Sequence, residues 1–279
     1  MRRVTMNLHR RFAKLNDVDL FYLDTGSKGP AILCLHGRWG RGETWYDFMQ
    51  RYGDRYRIIA PDQRGHGWSG KPLCRYTAEE MADDMVQLLN ILEIDSAIVV
   101  GHSMGGQVAG YLAALDPKLV EALAILDKSP AGPAERSRIP LSEIKAVDPV
   151  TKDWPLPFDS LKQADYYIRK EATTEISYSY FMSSLIETPE GYNMLFSTEA
   201  MAVGIAYNQD WHHLLPSIEC PVLLVRAKDN EAVPDEELSR MQALIANCRS
   251  YTMSHPHHNV YLSDKEEFYT CFDEFLRSI

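Results

Sequence analysis

The chain has 279 residues, with 45% hydrophobic and 24% charged side chains, an ordinary globular composition. That length suits one α/β domain carrying an insertion, and it can bury a sizeable core. A formal net charge of −10, with no basic run beyond the short "MRR" and "HRR" near the start, argues against a nucleic-acid partner.

The beginning of the chain lacks the apolar stretch of a secretory leader, and no apolar run reaches the ~18 residues of a membrane span. Five scattered cysteines show no metal spacing; an odd number of thiols without pattern suits a reducing cytoplasm. Neither a membrane nor a nucleic acid is expected as partner. The oligomeric state stays open, with a homo-oligomer compatible with the sequence.

Taken in chain order, short apolar runs alternate with longer amphipathic ones, the pattern of βαβ units on a mostly parallel sheet. "FAKLNDVDLFYLDTG" reads as two leading strands with a turn near Asn16-Asp17. "PAILCLHG" reads as a buried strand, "ETWYDFMQRYG" as a helix and "YRIIAPD" as the next strand. "TAEEMADDMVQLLNILEI" is the clearest helix, opened by a capping box of Thr77 and Glu80. "SAIVVGHS" is a strand, "MGGQVAGYLAALD" a helix and "VEALAILD" a further strand. From Ala131 to Ser217 prolines cluster, then helix-like segments rich in Tyr, Phe and Met follow. This stretch, 131–217, is expected to form a helical cap over a core made of 1–130 and 218–279. The alternation resumes with "CPVLLVRAKD", a helix from Pro234 to Ala246, the strand "RSYTMS" and a last helix.

One stretch stands out chemically. In "VVGHSMGGQ", Ser103 lies between Gly101 and Gly105, with a strand before it and a helix after it. A sharp strand-to-helix turn of this kind needs small neighbours and leaves one hydroxyl exposed at its tip, a nucleophile elbow. A serine hydroxyl needs a base to take its proton and an acid to orient that base.

The pieces "LCLHGRWG", "IIAPDQRGHGWSGKP", "VVGHSMGG", "CPVLLVRAKDNEAVP" and "HHNVYLSDKEEF", in that order, resemble the α/β-hydrolase superfamily over nearly the whole chain. "GHSMGG" followed by "AILDKSPAG" looks most like its serine esterase branch. Epoxide hydrolases and haloalkane dehalogenases share the style of the second piece but usually carry an aspartate nucleophile, which Ser103 argues against. The resemblance implies a sheet flanked by helices, a cap, and a triad of Ser103, Asp229 and His258. Asp127, after the strand that follows the nucleophile helix, is the rival acid. His257 and His255 are the rival bases, since His257 stands where the family usually has glycine.

For the oxyanion, the backbone N–H of Met104 is one expected donor. Arg38, in "HGRWG", is expected to supply the other, with Trp39 as its alternative. The Arg38 side chain could also meet a substrate carboxylate. His36, Trp39, Trp154, Tyr178, Phe181, Met182 and Tyr207 are the expected pocket. Together these imply a small, largely apolar ester or lactone as substrate and no cofactor: there is no HExxH and no GxGxxG after the first strand. Carbon–carbon bond hydrolysis, other cofactor-free chemistry on the same fold, and a small-molecule receptor remain the competing readings.

Overall fold

A computed structural model describes residues 7–279, so "MRR" lies outside the described residues. The chain opens with β1 (His9–Lys14) and β2 (Asp19–Asp24), an antiparallel pair, then β3 (Ala31–Leu35). A 3₁₀ turn leads into α1 (Tyr46–Tyr52), followed by β4 (Arg57–Pro61). Next come α2 (Ala78–Ile91), β5 (Ala97–His102), α3 (Met104–Leu115) and β6 (Val120–Leu126).

Residues 127–221 then leave the sheet. They hold α4 (Leu161–Glu171), α5 (Glu175–Met182), a hairpin of β7 (Leu185–Thr188) and β8 (Gly191–Met194), and α6 (Thr198–Ala206). The chain returns through β9 (Val222–Arg226), α7 (Asp235–Leu244), β10 (Cys248–Thr252), the short α8 (Val260–Ser263) and α9 (Lys265–Leu276).

The large sheet has the order β1-β2-β4-β3-β5-β6-β9-β10. From β4 to β10 every pairing is parallel, and the antiparallel pairs lie at the β1 edge. A parallel strand in the middle of such a sheet is covered on both faces, so it reads as an unbroken apolar run. β5 shows this: all six of its residues are buried.

Alternate side chains of these strands feed two cores. Leu33, Val99 and Ile125 pack with α2 and α3 through Leu88 and Val108. Ile32, Val100 and Ala124 pack on the other face with Phe48 of α1 and Phe272 of α9. Phe158, Met201 and Trp211 of the 127–221 stretch belong to the α2/α3 core, so this stretch is anchored on one face of the sheet. The expected capping box is present: Thr77 Oγ1 accepts from Glu80 N–H at 3.2 Å, and Glu80 Oε2 accepts from Thr77 N–H at 2.9 Å. The hairpin β7–β8 is not anticipated by the Tyr- and Met-rich composition of its surroundings.

Candidate active site

Ser103 sits between β5 and α3 with φ 52° and ψ −117°, a strained setting for a residue with a side chain. The flanking glycines are required by contact. A Cβ on Gly101 would lie 2.2 Å from the Gly105 carbonyl oxygen, and one on Gly105 would lie 2.3 Å from that of Leu35. The turn is held open by the Ser103 N–H, which donates to Leu126 O at 2.9 Å.

The Ser103 hydroxyl lies 2.9 Å from His258 Nε2, and His258 Nδ1 lies 2.7 Å from Asp127 Oδ2. Because an ionised carboxylate only accepts, Nδ1 carries the proton toward Asp127 and Nε2 is left to accept from the serine. Asp127 is fully buried, stands directly after β6 at φ 51°, and takes the Ala227 N–H on its Oδ1 at 2.9 Å. The carboxylate is thus clamped between two sheet strands and aimed at the histidine.

The pattern of the resemblance favours Asp229 as the acid, and the structure corrects this. Asp229 is exposed in the turn three residues beyond β9, and its carboxylate accepts a 3.4 Å hydrogen bond from Glu231 N–H in that same turn. It reaches the cavity wall but not His258. The rival bases are also placed elsewhere. His257 Nε2 lies 2.9 Å from Thr174 Oγ1 and 3.0 Å from Ser177 Oγ. His255 accepts from its neighbour's His257 N–H at 3.1 Å.

His102, beside the nucleophile, is buried and lies 3.0 Å from the His258 carbonyl through Nε2. It donates there, tying the histidine's loop to the end of β5. Burial, with His258 nearby, holds its pKa well below the usual histidine value, so the ring is neutral.

Ser103 and His258 open onto a cavity of about 690 Å³. Of the expected pocket residues, Trp39, Phe181 and Tyr207 line it. The other four do not. His36 is buried behind the wall, where its Nδ1 donates to Gly37 O at 2.8 Å and its Nε2 accepts from Gln63 N–H at 3.0 Å. Trp154 is consumed by packing against Phe158, tilted, and against Phe181, edge-on. Tyr178 turns outward, donating to Asp165 at 2.6 Å under the Arg169 guanidinium. Met182 packs into the core. In their place Tyr76, two residues before α2, Met81 of α2 and Met201 of α6 enter the wall. Tyr76 and Met81 carry no sequence signal for this role, because their contact is made across the cavity from the inserted stretch.

Met104 and Arg38 both line the cavity, and neither backbone N–H finds a backbone acceptor among the described residues. Met104 is the first residue of α3, where N–H groups lack intrahelical partners and the helix dipole is positive. Trp39, the alternative donor, has φ 65°, and its indole N–H donates to Asp148 at 3.0 Å. Among the described residues no group of three or more His, Cys, Asp or Glu side chains comes together to hold a metal, and no helix is long and apolar enough to cross a membrane.

The family model described as alpha/beta hydrolase fold matches residues 30–265. Among relatives, a 2-(acetamidomethylene)succinate hydrolase of Mesorhizobium japonicum is 40% identical over 102 residues, covering 37% of this chain and 37% of that protein. A serine hydrolase of Mus musculus is 28% identical over 270 residues, covering 94% and 84%. At 40% identity and above, the chain spans only 29% to 37% of the length of the relatives it matches. A crystal structure of E-2-(acetamidomethylene)succinate hydrolase superposes with a TM-score of 0.83 at 25% identity, covering 97% of this chain and 99% of that one.

Proposed function

The chain belongs to the alpha/beta hydrolase fold family, and we propose that it is a serine hydrolase cleaving a small, largely apolar carboxylic ester or lactone through an acyl-enzyme. The observation that carries this reading is the unbroken relay from Ser103 Oγ through His258 to the buried carboxylate of Asp127.

In this reading His258 Nε2 takes the Ser103 proton as Oγ attacks the substrate carbonyl. Asp127 holds the imidazole in the required tautomer and stabilises the imidazolium that forms. The backbone N–H groups of Met104 and Arg38 receive the developing oxyanion, and their lack of backbone acceptors supports that role. The imidazolium then protonates the leaving alkoxide. Water, activated by the same histidine, hydrolyses the acyl-serine. The apolar body of the substrate rests against Phe181, Met201 and Tyr207. A cavity of about 690 Å³ suits a small acyl or ring-bearing substrate better than a polymer.

The test is labelling by a fluorophosphonate together with turnover of p-nitrophenyl acetate and butyrate. The reading expects a single phosphonylated residue, Ser103. It also expects Ser103→Ala to lose kcat by roughly 10⁴–10⁶ while staying folded. Labelling at another residue, or full activity in the alanine variant, ends it.

A further inference from the structure

The cavity that holds Ser103 is charged in the opposite sense to the protein around it. The whole chain has a formal net charge of −10. Yet Arg38, Lys128 and Arg136 stand in the cavity wall, and among the described residues Asp229 is the one carboxylate there.

Arg136 is spoken for, since it donates to Glu79 at 2.7 Å. Arg38 and Lys128 are not: among the described residues neither side chain has a carboxylate within 4 Å or a hydrogen-bond acceptor. The Arg38 guanidinium lies over the Trp39 ring, 5.6 Å from its centre. Asp148 attracts Arg38 only from beyond ion-pair distance, and Asp148 already accepts from the Trp39 indole N–H at 3.0 Å.

Lys128 follows Asp127 directly, so its position is set by the same strand end that orients His258. Its Cβ is packed beside Gly106 in the first turn of α3, where an added Cβ would come within 3.2 Å of it. Both cations are half-buried, and they are close enough to repel each other. Burial and the Arg38 charge push the Lys128 ammonium down to about 8. Two like charges facing one partly desolvated cavity are unfavourable without an anion between them.

We propose that Arg38 and Lys128 form a carboxylate-binding subsite, so that the substrate is a small acyl compound with an apolar body and a free carboxylate at one end. This rests on the reading of Ser103 as the nucleophile. A planar carboxylate fits the guanidinium fork, and the ammonium adds a point charge. The two cations then act as specificity-determining groups in the cavity wall.

The experiment is calorimetric titration of the Ser103→Ala protein, in which turnover is blocked, with malonate, succinate, glutarate and adipate, and with their neutral diamides. At least one dicarboxylate should bind about tenfold or more tighter than its diamide, the scale of one charge-assisted hydrogen bond. Adding Lys128→Met or Arg38→Met should weaken that dicarboxylate by about 10- to 100-fold, whereas Lys128→Arg should retain it within about threefold. Lys128→Gln and Arg38→Gln stand in if a methionine variant does not fold, as judged by circular dichroism.

Equal binding of acids and diamides overturns the proposal. So does unchanged dicarboxylate affinity in both neutralised variants, or tighter binding of inorganic phosphate than of every dicarboxylate. Failure of the hydrolase reading shows itself differently. The native protein would then resist fluorophosphonate and turn over neither neutral nor acidic esters, while dicarboxylates still bound at Arg38 and Lys128.

Discussion

Asp127 and His258 stand 131 positions apart in the chain and 2.7 Å apart in space. The contact exists because β6 lies between β5 and β9 in the sheet, so the residue that follows β6 is delivered beside the turn that follows β5. Asp127→Asn keeps the shape but offers an amide N–H or a weaker acceptor to Nδ1, favouring the wrong tautomer. It should lower kcat by about 10⁴, by analogy with a dissected triad. Asp229→Asn removes only a turn contact and should change kcat by less than about threefold, as surface substitutions do. Parallel kinetics on p-nitrophenyl acetate decide between them, and a reversed order would return the acid to the β9 turn.

The nucleophile was legible because everything that marks it is local. Gly101, Ser103 and Gly105 fall within five consecutive residues, and the strand and helix that confirm them are their immediate neighbours. The acid was not legible on the same terms. Asp127 and Asp229 both follow apolar strands, and what separates them is burial and the Ala227 N–H, which Asp127 receives from just past the end of the neighbouring strand β9. The pocket was harder still. Aromatic content marks the inserted stretch, but which face turns inward depends on its docking. Tyr178 therefore faces Arg169, while Tyr76, outside that stretch, lines the cavity.

Three histidines are folded into the interior as neutral rings. Burial lowers His36 from its usual 6.5 to about 4 and holds His66 and His102 well below their ordinary value. The unfolded chain binds protons at these sites below about pH 6.5 and the native state does not. Stability is therefore fully present above that pH and is lost as pH falls toward 4, by up to about 3 kcal/mol for His36 alone. Asp62, raised to about 6 by burial, works against this over part of the window, since its folded form holds a proton the unfolded form releases. His257, also lowered by burial, adds to the histidines, and Asp84, also raised by burial, adds to Asp62; with four groups against two, urea unfolding midpoints should fall between pH 6.5 and 4.5. A flat profile across that interval would contradict the neutral buried histidines.

The segment that leads from β4 to α2 is pinned by one buried ion pair. Arg64 donates from Nε and Nη2 to the two oxygens of Asp84, both at 2.6 Å, and both side chains are buried. Removing one partner leaves the other as an uncompensated interior charge. Asp84→Ala should cost about 3–5 kcal/mol. Replacing both residues with apolar side chains of similar volume should cost less than the single change, because no charge is then stranded. Denaturant unfolding of the single and double variants measures the difference.

The loop that carries Arg38 is fastened to the inserted stretch by the buried Tyr180, by Ser184 Oγ, which donates to Trp39 O at 2.8 Å, and by the Trp39 indole N–H on Asp148. Tyr180 Oη donates to the Gly37 carbonyl at 3.0 Å, and the same carbonyl receives the His36 Nδ1–H and the Gly40 N–H. Tyr180 lies directly over Gly40: a Cβ there would come within 2.0 Å of its oxygen and 2.5 Å of its Cζ. Gly40→Ala must therefore displace either the tyrosine or the loop that holds the Arg38 N–H. It should destabilise the fold by roughly 1–3 kcal/mol, the range of overpacking, and lower kcat by disturbing the oxyanion site. Tyr180→Leu removes the oxygen and Cζ that the new methyl meets, at the cost of a hydrogen bond and a cavity. If the two residues clash as the geometry requires, the double variant is less destabilised than the sum of the singles by about 1 kcal/mol or more. Additive losses across this cycle would mean that the loop yields freely, and that Gly40 is needed for something other than room for Tyr180.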